Sequence, residues 1–163
     1  MKKICKYLKI IPYLGIVLIA LAMTFGHFYN WRGKAVLLTT DKTNVFITKD
    51  NEIKITPFTL TLAEFNISHY DTGEPKSYEA IIAVEIEENS RLRLPNTIRL
   101  LVNHPHKMGF GECLYLLNYT MLQPENEPCC VVELVYEPFQ TLFLVGIILL
   151  IIGLLLLLVN PKK

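Results

Sequence analysis

Charge is missing from two long stretches of this chain. No Asp, Glu, Lys or Arg occurs between Lys9 and Arg32, and none between Glu137 and Lys162. All fifteen acidic residues lie between these blocks, with ten of the sixteen Lys and Arg, so the roughly 105 residues there carry a formal charge of −5, ten minus fifteen. A stretch of that size and polarity is long enough to bury a modest core of its own. No Cys-x-x-Cys pair occurs, which argues against a thioredoxin-like redox role. A Gly-rich phosphate loop, a Ser/His/Asp set and a positioned carboxylate pair are missing too. The sequence therefore offers no self-contained catalytic site, and a nucleic-acid partner is not expected.

The uncharged blocks themselves are informative. Residues 139–159 form an apolar run of 21 that includes Leu-Leu-Ile-Ile-Gly-Leu-Leu-Leu-Leu-Leu. At about 1.5 Å per residue such a helix crosses the roughly 30 Å hydrocarbon layer. It is apolar on all sides, and a domain this small has no interior in which to hide it. Residues 10–29 form a second candidate span. Lys2, Lys3, Lys6 and Lys9 in front of it, and Ala20-Leu21-Ala22 within it, also fit a cleaved secretory signal. The uncharged run of 22 residues exceeds the usual signal core of about 7–15, which favours a retained anchor. Four Lys before the first span, and Lys162 and Lys163 after the second, outweigh Arg32 and Lys34, so the positive-inside rule puts both termini in the cytoplasm. The expected order is a cytoplasmic N-terminus (1–9), a span (10–29), an extracytoplasmic domain (30–138), a span (139–159) and a cytoplasmic C-terminus (160–163), with the lipid bilayer as a partner.

The middle domain reads as all-β, a small sandwich or a curled antiparallel sheet. Its apolar residues recur at a spacing of two. Val36 and Leu38 begin the pattern, Val45 and Ile47 follow a turn at 41–44, and Ile53 and Ile55 come next. Phe58, Leu60 and Leu62 then face one side; the phase slips at Ala63-Glu64, and Phe65, Ile67 and His69 continue it. A slip inside a long strand predicts a β-bulge. Asp71-Thr72-Gly73-Glu74-Pro75 is turn chemistry. Tyr78, Ala80, Ile82, Val84 and Ile86 share the next face, Glu88-Asn89-Ser90 turns, and Leu92 and Leu94 resume. Segments 97–102, 113–121 and 131–136 complete seven to nine strands. The last runs through Pro138 straight into the second span, leaving no flexible stalk between the domain and the membrane surface.

Among side chains able to carry chemistry, Cys113 with Cys129 or Cys130 offers a disulfide in an oxidising compartment. The plainer reading is three small apolar strand residues. Cys5 lies on the cytoplasmic side, with no apolar run before it to make it a lipoprotein cysteine. His104-Pro105-His106 is the only close histidine pair, and its proline favours a turn over a metal site. His69 ends a strand. His27 lies near the outer end of the first span, where an ionisable group is expensive and tends to be functional. The competing reading puts it in the headgroup layer with Tyr29 and Trp31 as an aromatic belt. Asn66-Ile67-Ser68 and Asn118-Tyr119-Thr120 are glycosylation sequons placed in strands.

Several ordered segments carry a family likeness. Pro57 to Leu62 with Phe58 and Leu60, then Phe65, Tyr70 and the run Gly73-Glu74-Pro75-Lys76-Ser77-Tyr78, form its first half. Ile98 to Pro105 with Asn103, then Gly109-Phe110 and Tyr115 to Tyr119, form its second. In order and spacing, with Gly33-Lys34 after the first span, they resemble the extracytoplasmic domain of ResB-type cytochrome c biogenesis proteins of System II. The likeness runs from about Gly33 to Leu158. It implies a bacterial cytoplasmic-membrane subunit that works with a multi-span ResC or CcsA partner and with apocytochrome c, assisting haem delivery and attachment. It implies haem as cofactor, with His27 the candidate ligand, and Gly73, Asn103 and Gly109 setting turns. Typical members have more spans and a larger outer loop, so a reduced, non-catalytic subunit dependent on its partner is expected. The rival reading is a two-span scaffold whose β domain binds a protein and no cofactor.

Overall fold

The computed structural model describes residues 10–87, 90, 92–122 and 127–159. The lysines that set the expected orientation lie outside these, as do Cys5, Glu88 and Asn89. The chain divides into two compact units, one of 1–30 with 137–163 and one of 31–136.

The first unit is a helical pair, α1 (Ile10–Tyr29) and α2 (Gln140–Val159), each long and apolar enough to cross a membrane. Twenty residues at about 1.5 Å rise match the hydrocarbon layer. Both helices are apolar all round, and the face that α1 buries is marked by size instead: Pro12, Gly15, Ala22 and Gly26. In α2 the buried positions are Gly146 and Gly153. A Cβ on Gly15 would lie 2.7 Å from the backbone nitrogen of Leu150, and one on Gly153 would lie 2.6 Å from that of Pro12. Backbone thus meets backbone. In lipid no hydrophobic force draws two apolar helices together, so this close van der Waals approach is what associates them.

The second unit is one antiparallel sheet of eight strands: β1 (Trp31–Leu37), β2 (Thr43–Thr48), β3 (Ile53–His69), β4 (Pro75–Ile86), β5 (Thr97–Leu101), β6 (His106–Gly109), β7 (Glu112–Leu122) and β8 (Glu127–Tyr136). Their order is β5-β4-β3-β2-β1-β8-β7-β6. Strands lie beside their neighbours in sequence from β1 to β5 and from β6 to β8, and β8 returns to pair with β1 from Trp31↔Tyr136 to Leu37↔Cys130. The two ends of that order, β5 and β6, are consecutive in the chain and approach each other, with a bridge between Leu101 and His104. The sheet is curled on itself. Its inner face forms one core in which Phe46, Phe58, Leu60, Ile82, Ile98, Leu100, Leu114 and Leu134 are fully enclosed.

The long strand shows how the sequence sets this curl. Leu62 pairs with Ile82 but Glu64 pairs with Ile81, so Ala63 is the extra residue of a bulge, where the apolar phase slips. Gly73 takes the turn between β3 and β4 with φ +84°. Asn103 (φ +62°) does the same after β5. Gly109, read as a turn residue, ends strand β6 instead, and Gly111 adopts the positive φ of 73° in the β6–β7 turn. Gly109 matters for space: a Cβ there would lie 3.1 Å from a Glu112 carboxylate oxygen.

The alternation in the first strands falls on both faces: Val36, Ile47, Ile53 and Ile55 face outward, and Ala35, Leu37 and Phe46 fill the core. The segment at 92–94 forms no strand, although both leucines pack on the core. A disulfide from Cys113 is excluded. Cys113 pairs with Val135, whereas Cys130 lies five residues along β8, roughly 17 Å at 3.3 Å per residue. A disulfide needs Cα atoms within about 7 Å. Cys113, Cys129 and Cys130 are free thiols.

The helical contact yields a first expected outcome. Gly153→Leu should lower the stability of the purified protein by about 1–3 kcal/mol, the usual range for overpacking. Gly26→Ala, whose new Cβ meets only the Asn30 side chain at 3.2 Å, should be nearly silent. Thermal unfolding in detergent compares the two; equal melting temperatures would mean that the glycine contact does not hold the pair.

Candidate functional site

His27 stands in the last turn of α1, where the helix gives way to Asn30. The backbone N–H of Asn30 donates to the carbonyl of Gly26 at 2.9 Å, which closes that turn. Within the helical unit His27 lines a cavity of about 570 Å³ together with Ala22, Met23, Gly26, Asn30, Glu137, Phe139, Gln140 and Phe143. Helical spacing explains the membership. Met23 and His27 are four residues apart on one face of α1, and Phe139 and Phe143 are four apart at the start of α2. The atoms nearest a Cβ on Gly26 belong to Asn30, whereas those nearest one on Gly15 or Gly153 belong to the other helix, so the cavity opens where the close helix contact has ended.

Two phenylalanines, Phe139 and Phe143, stand in the wall beside His27. Phe139 lies 5.5 Å from Phe25 and 5.9 Å from Tyr29 between ring centroids. The His27 ring meets Phe28 edge-on at 5.4 Å. Asn30, Glu137 and Gln140 place polar groups at one end, and the amide of Gln140 donates to the carbonyl of Glu137 at 3.2 Å as α2 begins. One exposed imidazole thus stands beside a space lined by both apolar and polar side chains, with Met23 on the same helix face. A sequence search for residues four apart from His27 would have found Met23; Phe143 was legible only once the second helix was known to pack here.

The other candidates lie apart in the β unit. His69 is exposed at the far end of β3, opposite Pro75. His104 sits in the bridge to Leu101, while His106 begins β6 opposite Leu114. Among the described residues no group of three His, Cys, Asp or Glu is placed to hold a metal. Asn66 and Asn118, the sequon asparagines, are exposed on β3 and β7. Of the residues in the family-like segments, Phe58 and Leu60 are core, Gly73 and Asn103 form turns, and Pro75 opens β4. Lys76 lies over the Tyr70 ring at 5.6 Å, and Pro105 precedes β6. Tyr115 pairs with Glu133, and Tyr119 joins Phe65 and Tyr78, each at ring distances of 5.0 Å, in an aromatic cluster against the core. These residues build the domain.

Two titratable groups in the β unit carry predictions. Burial, reinforced by neighbouring Cys129, pushes the Cys130 thiol up to about 12, so its reactive thiolate is scarce. A maleimide should therefore modify Cys113 in the native protein and reach Cys129 and Cys130 only after denaturation. Mass spectrometry checks this, and native labelling of Cys130 at the rate of Cys113 would contradict it. Glu112 shares the inward face of β7 with Leu114 and is half-buried, and desolvation raises its carboxyl above the usual value of 4.5. A raised acid binds its proton more tightly when folded, so full stability exists below the unfolded value and declines as pH rises through the folded one. Glu112→Gln should thus raise the melting temperature at pH 7 and above, with the gain vanishing near pH 4.

The helical pair and the β unit between its helices make this chain a membrane protein with a β domain. No curated protein matches it. The model of the ResB-like family matches residues 9–128, about three-quarters of the sequence, which takes in α1 and the sheet as far as the start of β8. The chain belongs to the ResB-like family, that of the ResB-type cytochrome c biogenesis proteins.

Proposed function

We propose that this chain is a non-catalytic subunit of a System II cytochrome c maturation complex, and that it helps to present haem to apocytochrome c at the outer face of the bacterial cytoplasmic membrane. Haem is here the cargo of the complex. The observation that carries the reading is the placement of His27, a histidine at the end of a membrane helix, beside a cavity of about 570 Å³ that Met23, Phe139 and Phe143 help to line, in a ResB-like protein. Imidazole is an ordinary axial ligand of haem iron. With Met23 on the same helix face, His27 supplies one face only, which fits a subunit that works with a multi-span ResC- or CcsA-like partner. The charge count of the flanking segments supports cytoplasmic termini and an outer β domain.

The test is co-expression of the full chain with its multi-span partner, followed by absorption spectra of the chain alone and of the complex. The wild-type complex should carry haem, and His27→Ala should bring haem content and cytochrome c yield down to background. Added imidazole should restore the haem spectrum to His27→Ala by filling the vacated ligand position. Undiminished haem in that variant would remove the ligand role. A haem-free wild-type preparation together with normal cytochrome c yield in cells lacking the chain would leave the two-span scaffold as the better reading.

A further inference from the structure

An antiparallel sheet with one face on a core and one in solvent puts polar residues on the solvent side. The outer face of β1 to β3 breaks that rule. Val36, Ile47, Ile53 and Ile55 are each more than half exposed there. Ile47 is directly opposite Ile53, and Val45 is opposite Ile55, so these side chains stand in two rows across β2 and β3. Val36 would continue the second row, because the register Lys34↔Ile47, carried two residues on, sets it opposite Val45.

That row is split. Strands β1 and β2 part after Lys34 and Ile47, and a cavity of about 500 Å³ opens between them. Ala35 and Val36 form one wall, Val45 and Ile47 the other. Both ends of the cleft are closed. At one end stand the pairs Gly33↔Thr48 and Lys34↔Ile47; at the other the chain crosses from β1 to β2, with the carbonyl of Leu38 fastened to the amide of Leu62 at 3.0 Å. An extended peptide therefore cannot run through as an added strand, which needs an open edge. The space suits one compact molecule. Its volume falls within the roughly 300–1,000 Å³ of small-ligand pockets, whose walls are mainly apolar with a few polar groups that fix orientation.

The polar groups say which molecule. Lys34 and Thr48 line the paired end of the cleft. The Thr48 hydroxyl accepts the amide of Glu52 at 3.1 Å, which leaves its own proton to donate. Lys34 makes no ion pair among the described residues, although Glu133 is directly opposite it on β8. Glu52 is engaged by Lys54 at 3.0 Å. At the far end the Thr43 hydroxyl is occupied in accepting the amide of Val45 at 3.2 Å. An ammonium and a hydroxyl donor at one end of an apolar slot match an anion at one end of an apolar body. A single lysine with a carboxylate nearby matches one negative charge, which favours a carboxylate over a phosphate dianion.

We infer that the β1–β2 cleft binds a small amphiphilic monocarboxylate, of which a medium-chain carboxylic acid is the simplest kind. Its apolar body lies between Val36, Val45 and Ile47, and its carboxylate accepts hydrogen bonds from Lys34 Nζ and Thr48 Oγ1. The site belongs wholly to the β unit and requires neither haem nor His27.

The test is methyl NMR of the full chain in lipid nanodiscs, with isotope-labelled Ile and Val, titrated with octanoate. Octanol serves as the uncharged match, since it enters lipid as well. The methyl signals of Val36, Val45 and Ile47 should shift saturably with octanoate, while that of Ile81 on β4, outside the cleft, stays in place. Lys34→Gln should weaken octanoate binding about tenfold, the usual worth of a charged hydrogen bond, and leave the response to octanol unchanged. Val36→Trp, which fills the cleft from an exposed position, should abolish the octanoate shifts of Val45 and Ile47. The dispersion of the remaining methyl signals shows that each variant is folded. Absence of saturable shifts in the wild-type protein, or shifts that octanol matches and Lys34→Gln leaves unaltered, would overturn the inference. Shifts at these methyls that grow with protein concentration in the absence of octanoate would overturn it too, naming a second copy of the chain as the true cover.

Discussion

Strand β1 follows the first helix after one residue, strand β8 precedes the second after three, and the two pair along seven residues from Trp31↔Tyr136 to Leu37↔Cys130. Every other feature of the β unit is arranged around that ladder. Because the pairing is antiparallel, the chain arrives and departs at one end, as a domain inserted between two membrane helices requires. Because first and last strands are neighbours, the others follow in two runs of hairpins, β1 to β5 and β6 to β8, with four or five residues between strands in four cases. A chain of about 105 residues could not close two separate sheets with equal economy, since each would need its own crossing connections.

Closing one sheet on itself requires strong local bending, and the bends coincide with irregular register. Ala63 is extruded from β3 and Leu117 from β7, each at the point where the strand passes from the central core to the aromatic cluster of Phe65, Tyr78 and Tyr119. A bulge changes which face a strand presents without interrupting it. That is why Phe65, an odd residue, points inward after the even Phe58, Leu60 and Leu62. The two strands at the ends of the sheet order are short, at five and four residues. Arg99 on β5 forks onto Glu79, donating through Nη2 at 2.8 Å and through Nε, and this holds the Glu79 carboxyl below its usual range. Short charged margins discourage pairing with another chain.

What was legible in the sequence divides along the same line. Membrane helices announce themselves by length and lack of charge, whatever they pack against. The bulge at Ala63 and the turn at Gly73 were equally readable, because a phase slip and a left-handed residue are local signals. The inward face of β1 and β2 was not. Both faces of these strands carry apolar residues, Ala35 and Leu37 against Val36, Phe46 against Val45 and Ile47, so alternation alone cannot choose between them. The choice is made by Gly33, whose missing side chain admits Phe46 and Trp31 at 2.8 and 3.2 Å from where a Cβ would be. The separation of the cysteines was hidden for a related reason: it depends on the β7–β8 register, which no local pattern states. At the candidate site His27 was legible by its chemistry, whereas its aromatic wall came from a helix more than a hundred residues away.

The ladder between β1 and β2 is the weakest seam in the sheet. It registers only at Gly33↔Thr48 and Lys34↔Ile47, and the strands then part. Buried peptide groups without partners would make such a gap expensive. The chain meets this with local substitutes. The hydroxyl of Thr43 accepts the amide of Val45 at 3.2 Å, and the carbonyl of Leu38 accepts the amide of Leu62 at 3.0 Å, so the end of β1 is fastened to β3 past the parted strand. On the other side of β2, Thr56 is the one polar residue among the buried described residues, and its hydroxyl donates toward the carbonyls of Phe58 at 2.8 Å and Asn44 at 3.2 Å. Threonine fits both places because it combines strand propensity with a hydroxyl able to replace a missing ladder partner. These bonds supply partners where the β1–β2 ladder stops. The β1–β8 ladder, with no such interruption, is left to carry the link between the two membrane helices.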